Sequence, residues 1–147
     1  MSDIRKVAQY FLSKESMSHK KLQKLCYYAQ AWYLANYGKP LMPNRFEAWV
    51  HGPVSPDLYS IYRDWGWVNI PKVEMPSELC REEEAVVDKV FEAYGEYTAD
   101  ELESMTHREL PWQKARRGCL PSAYSRNPIS MKAMRDYYGG RIGKRYE

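Results

Sequence analysis

The side chains with which this chain could perform catalysis are few. It holds three histidines, His19, His51 and His107, and three cysteines, Cys26, Cys80 and Cys119. A zinc site needs about four His, Cys or acidic ligands at suitable spacings, and no HxxxH, HExxH or CxxC occurs. No metal and no cofactor is therefore expected. Cys26 falls in an apolar helical run, where a buried thiol is inert. The most enzyme-like pair is His51 and Asp57, because a histidine ending an extended segment and an aspartate starting a helix could together orient a proton transfer. No nucleophile or anion hole accompanies them. Each also has a structural use, His51 as a hydrogen-bonding partner of its turn and Asp57 facing the positive end of a helix. The expectation is a protein that is not an enzyme.

Binding chemistry is better supplied. The chain has 13 Tyr and 5 Trp, side chains that bury large areas while keeping a polar edge and that are favoured at interfaces. They are prominent around His51-Gly52-Pro53-Val54-Ser55-Pro56-Asp57-Leu58-Tyr59 and the following Trp65-Gly66-Trp67. Gly52-Pro53 and Ser55-Pro56 make a stiff corner, so His51, Pro53, Asp57, Tyr59, Trp65 and Trp67 are the candidate partner-binding residues. The alternative is a nucleic-acid-binding regulator, with Lys20, Lys21 and Lys24 meeting phosphates and Tyr59, Trp65 and Trp67 stacking on bases. Against it stands the charge balance. Net charge is only +3, and residues 74–103 carry 11 acidic against 2 basic side chains, while residues 113–147 carry 9 basic against 2 acidic.

The elements that must position these residues are mainly helical. A chain of 147 residues forms one domain that can bury a core without disulfides. Residues 18–38 read as a central buried helix. One stripe runs Leu22, Leu25, Cys26, Ala29, Trp32, Tyr33 and a second runs Tyr28, Ala31, Leu34, Ala35, leaving Lys20, Lys21, Gln23, Lys24, Gln30 and Asn36 for solvent. Its basic N-terminal end should be wet and its C-terminal two turns enclosed. Ser18 caps it, and Gly38 and Pro40 end it. An amphipathic helix over residues 2–13 with Ser2 as cap precedes it. Beyond it, residues 46–51 and 67–73 read as a small two-stranded extended insert, and Ser55 with Pro56 starts a helix. Further helices are expected over 82–94, from the Thr98 capping box to His107, from Pro111 to Gly118, and over 131–138 after Ser130. The fold class is thus mainly α, a single domain over 1–138, with a basic flexible tail at 139–147. The N-terminal residues lack the pattern of a signal peptide, no stretch is long enough for a membrane span, and the cysteines look reduced, so a cytoplasmic protein without a membrane partner is expected.

Three stretches together carry a resemblance. KLQKLCYYAQAW, FEAWVHGPVSPDLY and TADELESMTHRELPWQKAR supply, in order, a Lys-Leu-x-Lys-Leu-x-Tyr-Tyr helix, an Ala-Trp-x-x-Gly-Pro-Val turn followed by Tyr, and a Thr-His-x-x-x-Pro-Trp element. In this the chain resembles the Panacea domain, a phage-associated family known as an antitoxin domain, from about Ile4 to Tyr138. The resemblance implies a mainly helical antitoxin, encoded by a prophage, that neutralises a toxin from an adjacent gene by direct contact. It also implies that a protease or chaperone can be a further partner. The identity of the toxin does not carry over.

Overall fold

The computed structural model describes residues 1–142. Its first helix, α1 (Ile4–Leu12), buries Ile4, Val7, Ala8, Phe11 and Leu12, the face that their spacing predicts. The cap is Asp3, whose carboxylate accepts from the Lys6 amide, rather than Ser2. The Ser2 hydroxyl is turned to Glu83 instead, 2.9 Å away.

Helix α2 (His19–Tyr37) is the axis of the molecule. Ser18 caps its start through the Lys21 amide and Gly38 ends it in the left-handed conformation, φ 69°, which costs a residue without Cβ nothing. Every residue from Leu22 to Leu34 is buried, and that includes Gln23, Lys24 and Gln30, three side chains expected in solvent. The helix accommodates them because each has a backbone partner. Gln30 accepts from the amides of Leu41 and Met42 and donates to the Met42 carbonyl. Gln23 accepts from the Ser55 amide and donates to its carbonyl. Each such bond adds roughly 1 kcal/mol net, and its loss leaves a buried polar group costing more. Enclosure therefore spans the middle of α2, while Asn36 and Tyr37 at its C-terminal end are exposed.

The extended insert is a two-stranded antiparallel hairpin, β1 (Glu47–Trp49) and β2 (Gly52–Val54), with Ala48 opposite Pro53. Its second strand is the Gly-Pro-Val segment and not residues 67–73. Those residues lie along the connection between α1 and α2, where the Ile70 amide donates to Met17 and the Val73 amide to Leu12. The reason is local. Val50 and His51 form a tight turn and Gly52 leaves it at a φ of 106°, so β1 pairs with the nearest segment, at little loop-closure cost.

Ser55 caps α3 (Pro56–Tyr62) with proline at its start, and a short 3-10 turn, Arg63–Trp65, follows. Helix α4 (Arg81–Tyr94), α5 (Ala99–His107) with its Thr98–Glu101 capping box, and α6 (Leu110–Ala115) come next. Ser130 caps the last helix, α7 (Met131–Ile142). It continues through Gly139 to residue 142, so the tail expected from 139 starts as helix; residues 143–147 lie outside the described residues. Helices α7, α4 and α5 pack on α2. Tyr27, Tyr28, Tyr94 and Tyr138 fill the contact as stacked and edge-on rings, and the Glu109 carboxylate accepts from both Tyr28 and Tyr138.

Candidate functional site

The three stretches singled out in the sequence, far apart along the chain, meet at Gly52. Its backbone lies at φ 106°, and a Cβ placed there would stand 2.6 Å from Cε of Lys24 and 3.1 Å from Oγ1 of Thr106. Lys24 comes from α2, Gly52 from the hairpin and Thr106 from α5. The lysine is 1% exposed. Its stem runs beneath the hairpin turn, and its Nζ donates to the Pro53 carbonyl at 3.2 Å.

Charge around this lysine is dense. Burial and, after it, the neighbouring Lys20 lower its pKa to about 7 against the opposing pull of Glu103. Lys20 bridges Asp100 and Glu103, at 2.7 Å from each, and Nδ1 of His51 lies 3.2 Å from the same Glu103 oxygen. Burial alone would raise the Glu103 carboxyl, yet its bonds from Lys20 and His51 outweigh that and hold it low. His107 is lowered chiefly by burial and stacks on Trp112 with ring centres 4.0 Å apart. His19 is lowered by burial and by the Lys24 charge. Two of the histidines, His19 and His107, thus feel the one buried amine directly, and His51 reaches it through Glu103.

The outer side of the hairpin is held from α6. Trp112 donates its indole N–H to the Trp49 carbonyl at 2.9 Å. Arg116, buried against the Trp112 ring, donates to the Ala48 carbonyl and to those of Leu120, Pro121 and Ala123. One guanidinium, with five donors in a fixed fork, thereby ties the loop after α6 to β1. Between that loop and the hairpin lies a cleft of about 150 Å³, lined by Trp49, Val50, His51, Val54, Tyr124 and Ser125. Beneath its rim Glu47 accepts from Arg45, Arg126 and the Trp49 indole. Burial opposes ionisation of Glu47, but these three bonds prevail and its pKa falls.

The candidate contact residues divide into four groups. His51 is exposed on the turn and lines the cleft. Tyr59 is half-buried and packs edge-on against Trp49, at 5.1 Å, and His19, at 6.0 Å, whereas Pro53 is buried and shapes the corner from within. Asp57 is exposed and accepts from the Asn44 side chain at 2.7 Å, so His51 and Asp57 have separate partners and form no dyad. Trp65 and Trp67 lie past the far end of α3. Sequence reasoning missed Glu103 and Arg116 as site residues, and it named Lys24 only as an exposed phosphate contact, whereas the side chain is buried. Lys24 stood inside the Lys-Leu-x-Lys-Leu run, which was the available signal, but helical periodicity put it on the wet face.

The lysines that suggested phosphate binding are engaged. Lys20 holds two carboxylates, Lys21 donates to the Gly95 carbonyl at 2.6 Å, and Lys24 is enclosed. Among the described residues, no group of three or more His, Cys, Asp or Glu is placed to hold a metal ion, and no helix is long and apolar enough to cross a membrane.

Comparison with known proteins adds to this geometry. Antitoxin SocA of Caulobacter vibrioides is 40% identical over 65 residues, a stretch covering 41% of this chain and 35% of that protein. The chain therefore matches only about a third of the length of this curated relative. No solved structure matches. The model of the family described as antitoxin SocA-like, Panacea domain, matches residues 22–113, a span that begins on α2, takes in the hairpin and ends on α6. The lysine, the hairpin turn and the threonine that meet at Gly52 all lie inside it, and the chain belongs to this SocA-like Panacea family.

Proposed function

We propose that this protein is a cytoplasmic antitoxin that acts by direct contact with a toxin from an adjacent gene, without catalysis of its own. The contact face is formed by the hairpin corner, α3 and the aromatic turn beyond it. The observation that carries this reading is the exposure of large apolar side chains on one short segment: Ile61 is 45% exposed, Trp65 40%, Trp67 93% and Val68 64%. Exposed apolar groups gathered in this way mark interaction surfaces, and tryptophan is the residue most often found to dominate them. The cleft beside His51 offers a receptor for an apolar side chain of the partner. The engagement of Lys20, Lys21 and Lys24 within the fold favours a protein partner over a nucleic acid.

Co-expression with the product of the adjacent gene tests the reading. The expected result is a product that arrests growth alone and is neutralised when this chain is present, with the two proteins co-purifying. A product that is harmless alone, or toxic and not rescued, overturns it.

A further inference from the structure

We propose that Lys24 is the positioning residue of the contact corner: its side chain, threaded under Gly52, holds the Pro53 carbonyl and thereby fixes the shape that the hairpin presents to a partner. What the corner touches rests on the antitoxin reading; how the corner is held does not.

The geometry favours this role over simple stabilisation. A buried ammonium loses its hydration, and one neutral carbonyl at 3.2 Å does not restore it, so apolar groups of equal shape are often as stable or more so in such places. Lys24 is thus an expensive way to fill space. What it supplies that an apolar chain cannot is a directed bond to the turn. Gly52 has no side chain because that space is occupied by Cε of Lys24, so hairpin and lysine fit each other as a matched pair. From the other side the turn is tied through His51 to Glu103, and Glu103 also faces Lys20. The turn therefore hangs from α2 through Lys24 and from α5 through His51, one point enclosed and one open to solvent, while Gln23 of α2 holds the corner further along at Ser55.

The groups facing Lys24 are known from each element around it. Lys20 and His19 come from α2, Glu103, Thr106 and His107 from α5, and the Pro53 carbonyl from the hairpin. His51 reaches the cluster through Glu103. Loss of the Lys24 proton weakens the bond to Pro53 and removes a positive charge from beside Lys20, His19 and His107. The amides of Gly52 and Val54 should report that event directly.

Nuclear magnetic resonance on the free protein is the first test. With lysine Cε labelled, the Lys24 signal is followed from pH 6 to 8.5 together with the Gly52 and Val54 amides, in the wild type, Lys24→Met and His51→Asn. Both amides are expected to move with the Lys24 titration in the wild type and in His51→Asn, and to lose that step in Lys24→Met. Amides that ignore the Lys24 titration in the wild type overturn the proposal, and this arm needs no variant to fold. The second test is capture of the adjacent-gene product. Lys24→Met is expected to keep the wild-type melting temperature within a few degrees while its affinity falls about tenfold or more, a change of about 1.4 kcal/mol. Lys24→Gln, which keeps a donor, should recover part of the loss. A Lys24→Met protein that melts normally and binds as tightly as the wild type overturns the proposal. Failure of the wild type itself to rescue refutes the antitoxin reading and the contact role of the corner together, leaving the amide titration to decide how the turn is held.

Discussion

Nζ of Lys24 lies 3.2 Å from the carbonyl oxygen of Pro53, while Cε of the same side chain takes the place of a Cβ at residue 52. Gly52→Ala therefore meets two penalties at once, a φ of 106° and a steric clash with a buried side chain. Unfavourable backbone of this kind costs about 1–3 kcal/mol, and displacing Lys24 adds to it. Chemical denaturation should show a midpoint well below that of the wild type.

Stability should rise with pH just above neutrality. The Lys24 pKa is lowered to about 7 in the fold, against about 10.4 for a lysine in an unfolded chain. Between these values the unfolded state binds the extra proton, and stability increases with pH wherever that holds. Above pH 8.5 the buried Cys26 thiol, pushed up by burial, begins to act in the opposite sense as its unfolded counterpart ionises. The comparison to make is denaturant unfolding at pH 7 and pH 8.3: the wild type should gain stability and Lys24→Met should gain less.

Gln30→Leu should be among the most damaging single changes on α2. It preserves approximate volume and strips partners from the amides of Leu41 and Met42 and the carbonyl of Met42. A buried unsatisfied group costs about 1–3 kcal/mol, so a loss of about 3 kcal/mol or more is expected in urea unfolding. The local sign would be rapid hydrogen exchange at residues 41 and 42.

Trp67→Ala should separate binding from folding. The side chain is 93% exposed, and substitutions at such sites alter stability by about 0.5 kcal/mol or less. Rescue of growth and co-purification with the toxin should nevertheless fall, by about 2 kcal/mol of binding if Trp67 is a hot spot. Calorimetry of the purified pair reads both quantities.

Acid should loosen the cleft rim first. The Glu47 carboxyl is held below the usual range by Trp49, Arg126 and Arg45 in spite of burial. A depressed carboxylate contributes stability above its unfolded pKa and loses it as pH falls through the folded value. Wild-type stability should therefore drop below about pH 4.3, and Glu47→Gln should reduce the size of that drop while lowering stability at pH 7.

Local signals in the sequence determined much of this molecule. Ser18 and Gly38, Ser55 with Pro56, Thr98 with Glu101, and Ser130 mark helix ends through bonds between residues close in the chain, and those bonds form wherever the rest of the protein goes. The turn at Trp65-Gly66-Trp67 was likewise legible, because its glycine takes a positive φ of 57° that other residues rarely adopt. Only the tertiary structure decided which polar side chains go inside. Periodicity assigns Gln23, Lys24 and Gln30 to solvent because a single helix is read against water on its far side; here the hairpin and the loop after α2 cover that side and offer backbone groups that need partners. The seating of residues 67–73 along the connection between α1 and α2, and the meeting of Lys24, Gly52 and Thr106 at one point, likewise depend on contacts across tens of residues. A one-dimensional pattern carries the type of each residue but not the neighbour that will make burying it favourable.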